Sequence, residues 1–165
     1  MYGDPTQPIP SKDFFDSEKF PQAFFVDDYE LARKYFREGA ESVKGVKAEM
    51  TTLYIDEEKD LSIDIALFKG DPKRLLLHSS GVHGAEGFVG SGIQSSILRQ
   101  LDEHVSFTSG EGKSRPTVMF IHSVNPFGMK FLRRWNENNV DLNRNCIIDQ
   151  DGWTNSTEIA PGMPN

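Results

Sequence analysis

The sequence contains a single cysteine, Cys146, in 165 residues. An internal disulfide bond is therefore impossible, and a cytoplasmic location in a reducing compartment is the simplest prediction. The N-terminal residues lack the basic and apolar segments of a secretion signal, and no apolar run is long enough to span a bilayer. Positive charge is also scarce, because 18 Lys and Arg residues stand against 25 Asp and Glu residues. The resulting net charge of -7 argues against nucleic acids and anionic membranes as partners.

The composition is that of one soluble globular unit, with 37% hydrophobic and 26% charged residues. Residues 1–22 are rich in Pro, Asp and Lys, and we expect an extended N-terminal arm there. Residues 23–150 carry the periodic patterns of helices and strands and are expected to hold the domain. Residues 151–165 are expected to form a disordered tail.

The first helix is predicted to begin at Asp27. Glu30 stands three residues further on, as in a capping box, and Val26 and Leu31 are spaced as in a hydrophobic staple. The buried stripe of this helix is predicted to consist of Leu31, Tyr35 and Phe36.

An antiparallel hairpin is predicted from Met50–Asp56 and Leu61–Phe68, which flank a short polar turn. In the second strand, large apolar residues occupy every other position. Such alternation predicts that one face of the hairpin is buried. The residues of this predicted buried face are Leu61, Ile63, Ile65 and Leu67.

Two continuous apolar runs, Arg74–His78 and Thr117–Val124, differ from the hairpin strands because they do not alternate. Such runs are typical of strands buried on both faces at the centre of a parallel sheet. A helix from about Phe88 to Leu101 is predicted to connect them. The right-handed crossover of this unit brings the residues after both strands to the same edge of the sheet. The sequence therefore predicts an α/β fold.

Two residues with metal-binding side chains, His83 and Glu86, lie in the glycine-rich segment Ser79–Gly92 after the first of these strands. Open α/β sheets bind their ligands at the carboxyl ends of strands, and glycines allow a ligand to approach closely. A metal site suits this position. The alternative is a surface turn in which Glu86 is solvated and His83 caps another group.

An arginine cluster follows the second strand, where the segment Asn125–Asn145 holds Arg133, Arg134 and Arg144 in an otherwise acidic protein. A guanidinium group matches a carboxylate in bidentate fashion, and the neighbouring Asn143 adds a donor without adding charge. The segment therefore predicts an anion site. Arg133 and Arg134 also fit a solvated basic turn, and this alternative stays open.

Three segments together resemble the zinc carboxypeptidase superfamily, which includes the aspartoacylase and succinylglutamate desuccinylase branch. They are HGAEGF at His83–Phe88, NPFG at Asn125–Gly128 and RRWNENNVDLNRN at Arg133–Asn145. The likeness is closest to the branch known as domain of unknown function 2817, and it runs from about Phe25 to Ile148.

The resemblance implies a three-layer α/β/α sandwich around a mixed sheet. It also implies that His83 and Glu86 are ligands of Zn²⁺, and that Arg134, with Arg133 as second choice, polarises the scissile carbonyl. Asn143 and Arg144 match the pair that holds the free carboxylate of a substrate. The implied activity is a metallocarboxypeptidase-like or deacylase-like hydrolysis of an amide bond, in a peptide or N-acyl amino acid, or of an ester bond.

The sequence departs from this family in its metal ligands. Catalytic zinc needs three protein ligands and an open position, and the family's third ligand, a His, and its general base, a Glu, come later in the chain than Asn165. His122 could substitute as ligand, although we expect a hydrogen-bonded core residue there. We therefore expect the N-terminal half of a longer enzyme, inactive as this chain. The alternative is a catalytically inert module that retains the carboxylate site.

The same interpretation predicts an exposed sheet edge. If the two apolar strands normally lie between neighbours supplied by further elements, this chain leaves apolar surface uncovered. We expect a poorly soluble or self-associating protein.

Overall fold

The computed structural model of the protein describes residues 24–101 and 115–145. The predicted N-terminal arm, the predicted tail and residues 102–114 lie outside the described residues. Within the two ranges, the chain forms helices α1 (Tyr29–Ser42), α2 (Gly87–Gln100) and α3 (Pro126–Lys130), strands β1 (Glu49–Asp56), β2 (Leu61–Phe68), β3 (Asp71–Ser79) and β4 (Pro116–His122), and a 3-10 turn at Leu142–Arg144. Of these helices, none is long and apolar enough to cross a membrane.

The strands form one mixed sheet in the described part of the chain, in the order β1-β2-β4-β3. β1 pairs antiparallel with β2, and β2 pairs antiparallel with β4. β3 pairs parallel with β4. Because α2 connects β3 to the parallel β4, the predicted βαβ unit is present. The α/β fold class predicted from the sequence is confirmed.

The first helix begins two residues later than predicted. The side chain of Asp28, not Asp27, caps it by accepting a hydrogen bond from the Leu31 amide at 2.7 Å. The predicted capping box is therefore wrong, because Glu30 lies one position too early to close it. For the same reason Val26 and Leu31 do not occupy the staple positions.

The buried face of α1 differs from the predicted stripe. Phe36 is buried as predicted, whereas Leu31 and Tyr35 are only half-buried. Small residues form much of the buried face because α1 packs closely against α2, and a Cβ placed on Gly39 would lie 3.2 Å from the Cβ of Leu98. The buried residues of α1 are Tyr29, Ala32, Arg33, Phe36, Gly39 and Ala40.

The hairpin of β1 and β2 is confirmed, but its predicted buried face is only partly right, because Leu61 alone of the four predicted residues is buried. Ile63, Ile65 and Leu67 are half-buried. The opposite face of β2 is fully buried, because Phe36 of α1 and Leu98 of α2 pack on that side of the sheet. Its residues are Ser62, Asp64, Ala66 and Phe68.

The parallel pair is confirmed, but β3 is not buried on both faces. β4 lies inside the sheet, whereas β3 is the edge strand of the described sheet. Leu75, Leu76 and Leu77 are 58%, 57% and 50% exposed. The apolar run therefore marked a strand correctly without giving its position in the sheet.

Candidate functional site

The turn between β3 and α2 is held against the end of β4 by backbone hydrogen bonds. The Ser80 amide donates to the Ile121 carbonyl at 3.0 Å, and the Ser80 carbonyl accepts from the Val124 amide at 3.0 Å. Gly81 adopts φ +70°, a conformation that glycine takes without strain. The segments that follow the two parallel strands therefore meet at one edge of the sheet, as predicted.

His83 and Glu86 face each other across this turn. The His83 Nδ1 atom lies 2.9 Å from the Glu86 Oε2 atom. The His83 side chain is 12% exposed, whereas the Glu86 side chain is 69% exposed. The pair thus combines an imidazole fixed by its surroundings with a carboxylate that solvent can reach.

Asp141 connects this pair to the arginine segment. Its Oδ1 atom lies 2.9 Å from the His83 Nε2 atom and accepts a hydrogen bond from the Asn143 amide at 3.0 Å. Its Oδ2 atom accepts from Arg134 Nε at 3.0 Å. Loss of water contact acts to raise the pKa of Asp141, but the bonds from His83, Arg134 and the Asn143 amide outweigh it and lower the pKa to about 2.

Sequence reasoning did not assign Asp141 to the site. Asp141 begins the run DLNRN, and its side chain caps the 3-10 turn that contains Asn143 and Arg144. An acidic residue at a cap position is common and gives no signal of a second role. Only the fold, which places this turn against His83, identifies the contact.

The two neighbouring arginines take different positions. Arg134 points to Asp141 through Nε, and its two Nη atoms make no hydrogen bond within the described part of the chain. Arg133 donates from Nη2 to the side chain of Asn139 at 3.0 Å, and its guanidinium carbon lies 5.9 Å from the centre of the Phe127 ring. Of these two arginines, Arg134 is the one whose side chain contacts Asp141.

Asn143 and Arg144 lie on the exposed surface of the 3-10 turn. The Asn143 amide binds Asp141, while Arg144 donates from Nη1 to the Asn143 carbonyl at 3.2 Å. Their turn is thus joined to the His83 side chain through one carboxylate.

His122 lies in the core. Its Nε2 atom is 2.9 Å from the Ser91 hydroxyl oxygen, and its ring stacks on Phe36 with 4.8 Å between the ring centres. Burial lowers the pKa of His122 to about 4. This position favours the core role that we expected over a role as metal ligand.

Metal-binding donors are incomplete among residues 24–101 and 115–145. No group of three or more His, Cys, Asp or Glu in these ranges is arranged to hold a metal ion. His83 and Glu86 supply one nitrogen and one carboxylate donor, which are donor types that zinc accepts. In this part of the chain they form at most part of a zinc site.

The fold and site define an α/β protein with a polar cluster beyond the carboxyl ends of two parallel strands. Residues 25–160 match the family described as protein of unknown function (DUF2817). Because the match covers most of the sequence, the chain belongs to this family. A search of curated proteins found no match.

Proposed function

We propose that this protein is a zinc carboxypeptidase-like hydrolase, built on a three-layer α/β/α sandwich, that acts on an amide or ester bond of a carboxylate-bearing substrate. The observation that supports this most strongly is the chain of contacts from Glu86 through His83 and Asp141 to Arg134. It brings a potential ligand pair and a cationic group together from two distant parts of the sequence.

His83 Nδ1 and the Glu86 carboxylate are the groups that would hold Zn²⁺. Asp141 supports this assignment because a ligating histidine commonly donates its other ring N–H to a carboxylate, which fixes the tautomer and orients the ring. When bound, zinc would lower the pKa of a water molecule and polarise a carbonyl group. A third protein ligand is not found among the described residues, and the buried His122 is poorly placed for that role.

Arg134 would stabilise negative charge that develops on the substrate. Asp141 holds its Nε atom, so the two Nη atoms can point at an oxygen while the side chain stays oriented. A charge-assisted hydrogen bond of this kind is worth most at the atom where charge increases during the reaction. Arg133 is the second choice because Asn139 engages it.

Asn143 and Arg144 would bind the free carboxylate of the substrate. They combine a neutral donor with a guanidinium group on an exposed turn, and this turn is joined to the same aspartate as Arg134. In a chain of net charge -7, such a local concentration of cationic donors favours a small anion over a nucleic acid.

A second candidate function is a catalytically inert module that binds a carboxylate through Arg134, Asn143 and Arg144. It is favoured by the lack of a three-residue metal group among the described residues. This module would bind its ligand without zinc and without turnover.

Calorimetric titration with Zn²⁺, followed by an assay with N-acyl amino acids, separates the two functions. For the hydrolase, His83→Ala and Glu86→Gln should abolish zinc binding. Turnover that a chelator removes and zinc restores would show that this chain, which the sequence predicts to be inactive, is itself active. Glu58→Gln, on the exposed hairpin turn, and His122→Ala are controls that should leave zinc affinity unchanged.

Carboxylate binding without zinc binding or turnover would support the inert module. Absence of both zinc and carboxylate binding would contradict both functions.

A further inference from the structure

Asn125 is buried at the junction between the two halves of the site. It caps α3, where its Oδ1 atom accepts a hydrogen bond from the Gly128 amide at 2.8 Å. Its Nδ2 atom donates to the Arg134 carbonyl at 3.2 Å. Its own amide donates to the Gly81 carbonyl at 2.8 Å. One residue thus contacts the start of the His83 turn, the start of α3 and the backbone of Arg134.

The parts that Asn125 joins leave little room for adjustment. A Cβ placed on Gly84 would lie 1.8 Å from the Gly128 carbonyl carbon, so the His83 turn and α3 pack backbone against backbone. A Cβ on Gly128 would lie 2.5 Å from Asn125 Nδ2 and 2.7 Å from the Arg133 carbonyl oxygen. These contacts fix the turn relative to α3. The side-chain amide of Asn125 then holds the backbone at Arg134.

We propose that Asn125 is a positioning residue that sets the placement of Arg134 relative to His83 and Glu86. This inference rests on the proposed function of the site. The Asn125 side chain contacts the Arg134 carbonyl and the Gly128 amide, and not the side chains that would bind zinc or the substrate. It acts because the bond from Nδ2 to the Arg134 carbonyl holds the backbone from which the guanidinium group extends, and small displacements of a binding group are costly.

The variant Asn125→Asp separates this role from general folding. It keeps an oxygen that accepts from the Gly128 amide, but it removes the N–H that the Arg134 carbonyl receives. N-acetylglycine is the carboxylate probe and Zn²⁺ the metal probe, each titrated into the full chain. We expect affinity for N-acetylglycine to fall on the order of tenfold while affinity for Zn²⁺ stays unchanged.

A second measurement uses the wild-type protein, in case a carboxylate at this buried position prevents folding. In heteronuclear NMR spectra, N-acetylglycine should shift the side-chain NH₂ signals of Asn125, because tightening of Arg134 on the ligand reaches its backbone carbonyl. The exposed Gln100 side chain, at the far end of α2, should not shift and is the control.

The outcomes are distinct. If the wild-type protein binds neither probe, the proposed function fails and the positioning role fails with it. If it binds both probes but Asn125→Asp lowers the two affinities equally, or lowers neither, the proposed function stands and the positioning role is wrong. Unshifted Asn125 signals at saturating N-acetylglycine would also contradict the positioning role.

Discussion

At the scale of single residues, Asp141 connects His83 to Arg134 because its two oxygens bind different groups. One oxygen lies against His83 and the Asn143 amide, and the other accepts from Arg134. A single carboxylate therefore orients a potential metal ligand and a potential anion-binding group. This arrangement makes Asp141 as important to the proposed chemistry as the groups that touch the substrate.

Replacement of Asp141 by Asn should lower Zn²⁺ affinity by about 10-fold to 100-fold, the usual effect of losing the partner of a ligating histidine. The amide keeps the size of the side chain but no longer offers two acceptor oxygens to His83 and Arg134. Isothermal titration with Zn²⁺ measures the change. Asp56→Asn, which changes the contacts of a half-buried carboxylate with the amide and the ammonium group of Lys59, is the matched control.

Unchanged zinc affinity in the Asp141 variant would show that the contact with His83 does not support metal binding.

His122 should make the stability of the fold depend on pH. Burial holds its pKa near 4 in the folded state, whereas the unfolded chain takes up the proton near the ordinary value of 6.5. The contribution of the neutral ring is therefore fully present above pH 6.5 and is lost as the pH falls towards 4. A shift of this size corresponds to about 3 kcal/mol of unfolding free energy.

Urea unfolding between pH 7.5 and pH 4.5 measures this dependence, and His122→Gln should flatten the curve. A curve of the same slope in the variant would assign the pH dependence to other groups.

At the scale of elements, the sequence predicted strands and helices well and their buried faces poorly. Alternating leucine and isoleucine gave the hairpin, but the side of β2 that is fully buried carries Ser62 and Asp64. Burial of the Asp64 carboxylate is possible because Arg33 and Arg37 of α1 bind it at 3.3 Å and 2.8 Å. A pattern within one strand cannot show a partner about thirty residues away.

The Asp64 ion pairs should matter more for stability than the pair of Arg33 with Asp60, in which the carboxylate is exposed. Removing one partner of a buried pair leaves an uncompensated charge, so Asp64→Ala should destabilise the fold by about 3–5 kcal/mol. Asp60→Asn removes the charge of a 59% exposed partner of Arg33, tolerates the φ of 52° at this position and should cost less than about 1 kcal/mol. Urea unfolding of both variants gives the comparison.

Similar losses in the Asp64 and Asp60 variants would mean that Asp64 does not act as a buried counter-ion.

At the scale of the whole molecule, the sequence predicted the parallel pair and its connecting helix but not the order of the strands. Continuous apolar runs indicate strands that can be buried, and they carry no information about which strand lies at an edge. The glycine contact between Gly84 and Gly128 was equally invisible, because it joins segments that meet only in the folded chain. The motifs therefore gave the candidate site residues, whereas their contacts with Asp141 could be seen only in the fold.

A second set of exposed apolar side chains, besides the leucines of β3, lies on α2. On α2, the side chains of Val89, Ile93 and Ile97 are 58%, 41% and 36% exposed, at the spacing of one helical face. Exposed apolar side chains on an edge strand and on a helix face both favour association between chains.

Light scattering after size exclusion should therefore give an apparent mass that rises with protein concentration, and Leu76→Lys should reduce the rise. Thr51→Lys adds the same charge at an exposed polar position of β1 and should have little effect. A concentration-independent monomer in the wild-type protein would rule out association through β3.

The most direct test of the site follows the two ring nitrogens of His83 by long-range ¹H–¹⁵N NMR during titration with Zn²⁺. If His83 and Glu86 are zinc ligands and Asp141 holds the other nitrogen, zinc should shift the Nδ1 signal strongly while Nε2 stays protonated. The shift should be absent in Glu86→Gln at the same zinc concentration. Zinc binding at other histidines, or an unchanged His83 Nδ1 signal at millimolar Zn²⁺, would contradict the assignment of this cluster as a metal site.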